Sequence, residues 1–297
     1  MKPEQLAKAR ILVTNDDGIH APGLDALVEI AEQLSSDVWV VAPEVNQSGA
    51  AHSLSLSKPL RLREVSERRF AIEGTPSDCV LFGVKHLLKD RKPDIVLSGV
   101  NRGTNLADDV TYSGTIAGAM EGCLLGIPSI AFSQAYTHGH PVKWGTGTHH
   151  GAAVARKVLT AGWPRNVFIN VNFPDVVAAS VKGTRVTRQG VRGFGGHIVE
   201  RTDPRDGAND QSRRCRYSCC GKTEQPATDK TDPTSNQRRF IVHPPRAVAA
   251  VWGSKPERDR GAGNPTDRAN WRWSPIGRAS MARLPLGCRR HCHRRVW

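Results

Sequence analysis

Apolar and polar positions follow one another in blocks along the first two thirds of the chain. Ile11-Leu-Val13 is a short apolar run that stops at the polar cluster Thr14-Asn-Asp-Asp-Gly18, as a buried strand does when it opens into a loop. Pro22 then begins a segment in which Leu24, Leu27, Val28, Ala31 and Leu34 recur at helical steps, which predicts a helix with one buried face. Val38 to Val41 reads as the next strand, and Asp94–Ser98, Ser129–Ser133 and Val167–Val171 as three more. Helices are expected over Ser77–Leu88, behind Thr75-Pro76, and over Thr115–Leu125 and Thr148–Leu159. Leu54–Arg63 and Arg68–Ile72 suggest a strand pair beside the main sheet, and Gly183–Gln189 another strand.

Strands alternating with helices predict parallel pairing through right-handed crossovers, an α/β three-layer sandwich with ligand sites beyond the carboxyl ends of the strands. Polar residues that follow strands directly therefore carry the functional information. No internal repeat has a solenoid or propeller period.

Past about Arg205 the texture changes. Of the 19 basic residues in 206–297, 16 are Arg; four of the seven Trp occur there, and Pro or Gly interrupts nearly every apolar run. Only Phe240–Val242 and Ala247–Trp252 have the pattern of regular structure. With so little contiguous apolar surface, ordering would cost more conformational entropy than burial returns, so a disordered basic tail is expected.

Charge divides at the same place. The whole chain carries 42 Lys and Arg against 28 Asp and Glu, a net +14. Residues 1–205 hold 23 basic and 20 acidic side chains, whereas 206–297 hold 19 and 8. The first stretch is electrostatically ordinary; only the second could attract nucleic acid, by nonspecific counterion release, because it has no recognition helix or aromatic-bearing sheet. Of the seven cysteines only Cys79 and Cys123 precede residue 206, so a secreted disulfide framework is excluded. Met1–Arg10 is polar, and the longest apolar passage, Cys123–Phe132, is broken by Gly126 and Pro128; neither an export signal nor a membrane span is expected.

Candidate chemistry gathers behind the strands. Asp16 and Asp17 are adjacent carboxylates, which repel unless a cation sits between them; taken alone, Asn15-Asp-Asp-Gly18 reads first as a turn made of turn-forming residues. Asn46-Gln-Ser48-Gly49 and Ser98-Gly-Val-Asn101-Arg-Gly103 place neutral oxygens behind two further strands. Together they would suit a hard divalent ion such as Mg²⁺ or Mn²⁺ with room for water. Tyr112-Ser-Gly-Thr115 leads into a helix whose free N–H groups could cradle phosphate, or could simply be capped by Ser113.

The ordered set Val13-Thr-Asn-Asp-Asp-Gly-Ile19, Ala42-Pro43 with Ser48-Gly49, Gly74-Thr-Pro-Ser-Asp-Cys79, Ser98-Gly-Val-Asn-Arg-Gly103 and Tyr112-Ser-Gly-Thr-Ile-Ala117 with Glu121-Gly122 resembles the SurE family of stationary-phase survival proteins over residues 10–205. The resemblance implies a Rossmann-like sheet, a cytoplasmic location and a homodimer or homotetramer. It implies a divalent-metal-dependent nucleotidase acting on nucleoside 5′-monophosphates, with 3′-monophosphates and polyphosphate as further substrates. It implies metal ligation by Asp16, Asp17, Ser48 and Asn101, and phosphate contact at Ser113, Gly114 and Thr115. The general acid is not carried over.

The resemblance stops after Arg205, so the chain is expected to comprise a phosphatase domain, 1–205, incomplete at its carboxyl end, and an unrelated tail, 206–297. A reading frame shifted near residue 205 would produce the change; a coding sequence in which no other frame restores the family continuation would remove that hypothesis. The second reading is a catalytically silent relative with an adhesive basic tail. Cys215, Cys219, Cys220, Cys288, His291, Cys292 and His293 have the wrong spacing for a compact zinc module. Gly190-x-x-Gly193-x-Gly195-Gly196 reads as a flexible loop. His52, His138, His140, His149 and His150 show no triad spacing and are given no role.

Overall fold

The computed structural model describes residues 1–164, 166–187 and 189–190, and beyond them the backbone of three strands at 198–201, 214–217 and 248–252. All of these fall within the first of two units, Met1–Glu257. In chain order the elements are α1 (Pro3–Leu6), β1 (Arg10–Thr14), α2 (Pro22–Glu32), β2 (Asp37–Pro43), β3 (Leu62–Ser66), β4 (Arg69–Ile72), α3 (Pro76–Phe82), β5 (Ile95–Arg102), α4 (Asp109–Tyr112), α5 (Gly114–Leu124), β6 (Ser129–Gln134), α6 (Trp144–Thr160), β7 (Phe168–Phe173), β8 (Thr184–Thr187), β9 (Ile198–Arg201), β10 (Arg214–Tyr217) and β11 (Val248–Trp252). A π-helical turn, Gly83–Leu87, prolongs α3.

Nine strands form one sheet in the order β3-β4-β2-β1-β5-β6-β7-β11-β8. Pairing is parallel from β4 through β11 and antiparallel only at the two edges, β3 on β4 and β8 on β11. β9 and β10 make a separate antiparallel ribbon.

The central strands are apolar throughout because both faces are covered, and successive side chains go to opposite layers. From β1, Ile11 and Val13 pack with Leu24, Leu27 and Ile30 of α2 and Ala152 and Ala155 of α6. Leu12 goes the other way, with Val41, Val96 and the α3 residues Cys79 and Val80. On that second side α5 adds Ile116 and Ala119 against Ala131 and Phe168. The result is the three-layer sandwich expected from the alternation, with helices on both faces of a mainly parallel sheet.

Several boundaries differ from expectation. Leu54–Arg63 was expected as a strand, but β3 begins only at Leu62, and Leu54 and Leu56 stand 40% and 88% exposed in a loop. α6 begins at Trp144, one turn before Thr148. The polar N-terminus forms the short α1, with Leu6 buried. β5 does not end at Ser98: it continues to Arg102 through a register slip between Ser98 and Asn101. Gly99 makes that slip possible, with φ 130° and a position where a Cβ would stand 2.3 Å from the Phe132 carbonyl oxygen. Within the expected tail, β11 forms where Ala247–Trp252 has strand pattern, and β10 forms where none was expected. Phe240–Val242, the Gly193–Gly196 loop, the cysteine and histidine positions from Cys219 onward and most of the stretch expected to be disordered lie outside the described residues. Among the described residues no helix is long and apolar enough to cross a membrane.

Candidate active site

β1 is flanked by β2 on one side and β5 on the other, so the chain leaves this strand in both directions and a crevice opens at the carboxyl ends. Asp16 and Asp17 stand at that point, two and three residues past the end of β1. Gly18, with φ 106°, turns the chain back, and Asn15 closes the loop by donating from Nδ2 to the Gly18 carbonyl at 2.9 Å.

Asp16 is only 4% exposed. The Thr115 hydroxyl, near the start of α5, donates to its Oδ1. Burial pushes the Asp16 carboxyl up to about 6 against the opposing effect of that hydroxyl, and the charge of Asp17 adds to the rise. Asp17 is raised as well, again by burial, opposed by the backbone N–H and the charge of Arg102. Gly114 lies against Asp16: a Cβ there would meet the Asp16 Cβ at 2.7 Å. The Ser113-Gly114-Thr115 turn is thus the packing partner of the acid. The Ser113 hydroxyl is occupied as the cap of α5, accepting from the Ile116 N–H at 3.2 Å.

The other two loops reach the acids through neighbouring residues. The N–H of Gln47 donates to the Asp16 carbonyl at 2.7 Å, which brings Ser48 to the crevice, while the Ser48 N–H is held by Asn46 Oδ1 at 2.7 Å. The N–H of Arg102 lies 3.4 Å from Asp17 Oδ2, and Asn101, beside it, spends its amide N–H on the Gly103 carbonyl at 3.0 Å, leaving its Oδ1 as an acceptor. Among the described residues neither Ser48 Oγ nor Asn101 Oδ1 hydrogen-bonds to a carboxylate of the pair. The two carboxylates on their own offer a cation hard oxygen donors. Among the described residues no three His, Cys, Asp or Glu side chains cluster as a metal site.

Sequence reasoning missed the frame around these residues. His52 was given no role, yet its Nε2 lies 2.9 Å from Oε2 of the buried Glu121 on α5. Asp78, buried at the start of α3, accepts from the Ser55 N–H and hydroxyl at 3.0 and 2.8 Å, and the Thr75 hydroxyl donates to the Ser53 carbonyl at 2.7 Å. The loop that carries Ser48 is in this way fastened to two helices. Behind Asn101, Asn105 binds Ser133 and Asn172 at 2.8 and 2.9 Å, and Asn170 binds the Asn105 carbonyl at 2.9 Å, all of them buried. No sequence pattern singled out Asn105, Asn170 or Asn172. His138 and His140 are exposed, and His150 meets the Ala178 carbonyl at 3.0 Å on α6.

A doubly wound α/β sheet whose switch point carries a buried and a half-buried acid side by side, one tied to the loop after β2 and the other to the end of β5, defines a ligand-binding α/β protein that works at the carboxyl ends of its strands. The family model of the Survival protein SurE matches residues 11–195, and the chain belongs to that family. It is 63% identical over 196 residues to "5'-nucleotidase SurE" of Paramagnetospirillum magneticum, covering 66% of this chain and 75% of that one. It is 64% identical over 185 residues to the protein of the same name from Parvibaculum lavamentivorans, covering 62% and 67%. The crystal structure of the SurE protein from Aquifex aeolicus superposes with a TM-score of 0.61 at 33% identity, over 82% of this chain and 93% of that one.

Proposed function

We propose that this chain is a divalent-metal-dependent phosphomonoesterase that hydrolyses nucleoside 5′-monophosphates. The observation that carries the reading is the adjacent pair of buried Asp16 and half-buried Asp17, both carboxyls raised by desolvation; two such acids side by side are most stable with a cation between them. The names of the relatives from P. magneticum and P. lavamentivorans support the same activity.

The residues fit the ion. Asp16 and Asp17 would hold it, with Ser48 and Asn101 completing an oxygen set suited to Mg²⁺ or Mn²⁺. When bound, such an ion polarises a phosphoryl oxygen and makes water a better nucleophile at neutral pH. The chain supplies the positioning. Thr115 fixes the orientation of Asp16, His52 and Asp78 fasten the Ser48 loop, and the first N–H groups of α5 offer a positive helix terminus to the phosphate. Phosphoryl transfer asks a protein mainly for such positioning and charge neutralisation.

The test is Mn²⁺-dependent phosphate release from AMP and GMP by the full chain. Asp16→Asn, which keeps the side-chain shape, should lower turnover by orders of magnitude with the fold intact by circular dichroism. Near-normal hydrolysis by that variant rejects the site. A parent chain inert with both nucleotides in Mg²⁺ and in Mn²⁺ favours a catalytically silent relative instead.

A further inference from the structure

The guanidinium of Arg102 lies over the ring of Tyr136, with Cζ 5.0 Å from the ring centroid. Arg102 ends β5, and Tyr136 follows the end of β6, the neighbouring strand, whose Gln134 is in register with Arg102. The pair belongs to the rim of the crevice. The Arg102 N–H faces Asp17 Oδ2, and a Cβ on the intervening Gly103 would stand 3.8 Å from Tyr136 Cε1 and 3.9 Å from Asn101 Nδ2.

Arg102 is exposed, and among the described residues no carboxylate forms a salt bridge with its side chain. A planar cation laid on an aromatic ring keeps its second face free, and that face stacks readily on another flat π-system. The reach is also suitable. The backbone of Arg102 is at the acids, whereas its guanidinium is carried one long side chain away; the base of a mononucleotide likewise stands one ribose away from its phosphate.

We propose that Arg102 and Tyr136 form a stacking platform for the nucleobase and so determine specificity for nucleotides over smaller phosphate esters. The proposal rests on the nucleotidase reading above. Because every base has a π-face, the platform should accept all four and favour purines modestly.

The experiment compares AMP with ribose 5-phosphate, which keeps the ribose and phosphate and lacks the base, in the parent chain and in Tyr136→Leu and Arg102→Lys, the latter removing the flat guanidinium while keeping the positive charge that acts on Asp17. Loss of one stacking partner should raise KM for AMP about tenfold, with kcat nearly unchanged and ribose 5-phosphate kinetics unaltered. KM for both substrates moving together, or an AMP KM that holds in both variants, overturns the platform while leaving the nucleotidase reading in place. If the parent hydrolyses neither ester, the nucleotidase reading fails, and calorimetric titration in the presence of Mn²⁺ decides the platform separately. Tighter binding of AMP than of ribose 5-phosphate, lost in both variants, supports it; equal binding or none overturns it.

Discussion

His52 Nε2 and Glu121 Oε2 stand 2.9 Å apart and join the loop after β2 to the middle of α5. Glu121 is 6% exposed and His52 about a third, so the contact is mostly shielded from water. Glu121→Ala should cost about 0.5–1.5 kcal/mol, the net worth of a hydrogen bond whose remaining partner, His52, can reach water, while Glu121→Gln retains a hydrogen bond and should lose less. Urea denaturation of both variants checks the order. Equal stability of the two would show that the contact does not hold the loop.

Thr115→Val keeps the shape of the side chain and removes the donor to Asp16. Since a buried carboxylate is then short of one hydrogen bond, unfolding free energy at neutral pH should fall by about 1–3 kcal/mol, and Thr115→Ser should recover most of it. Nucleotide hydrolysis should fall with the Val variant and return with Ser. An unchanged denaturation midpoint for Val would remove the contact from the account of the site.

Gly114→Ala tests the packing of α5 on the acid. Alanine in a helix is ordinarily better than glycine by about 1 kcal/mol, yet here the new methyl would meet the Asp16 Cβ at 2.7 Å and Oδ2 at 3.0 Å. Overpacking of this kind costs about 1–3 kcal/mol, so the variant should lose stability and, with Asp16 displaced, lose disproportionately more turnover. A variant as stable and as active as the parent contradicts the close approach.

The pair Lys143–Asp175 predicts a pH dependence. The Lys143 ammonium, assisted by the Thr137 hydroxyl, holds the Asp175 carboxyl below its ordinary value. The folded protein therefore keeps this site ionised at acidities where the unfolded chain takes up a proton. The stabilisation is present above the unfolded value and is lost as pH falls through the folded one. Lys143→Met should reduce stability at neutral pH, and the gap to the parent should close below about pH 4. Thermal melts across that range check the sign, and a gap that widens with acid would reverse it.

The layering was legible in the sequence because each central strand is an apolar run ended by polar residues and each helix has one apolar face. Leu54–Arg63 misled because its alternating Leu54 and Leu56 look like a strand face; the loop instead lets them point outward and is held by side chains of α3. The first turn of α6 was hidden by Gly145 and Gly147, poor helix formers, although Trp144 packs against the core there. Ser98-Gly99 looked like a strand end, but Gly99 carries β5 through a register slip on to Arg102, whose N–H faces Asp17. The adjacent aspartates, a plain turn when taken alone, stood out only beside the polar segments that follow the other strands. What no local pattern could show was that Thr115 and Glu121, far along the chain, hold Asp16 and the Ser48 loop.

The bond from Thr115 to Asp16 spans 99 residues, and it gives the acid two lives. On a growing polypeptide that has not yet reached α5, Asp16 lacks both its Thr115 donor and the close cover of Gly114. The docking of α5 supplies that donor and helps to withdraw the carboxyl from water, so the residue takes on its raised pKa only once this distant helix is in place.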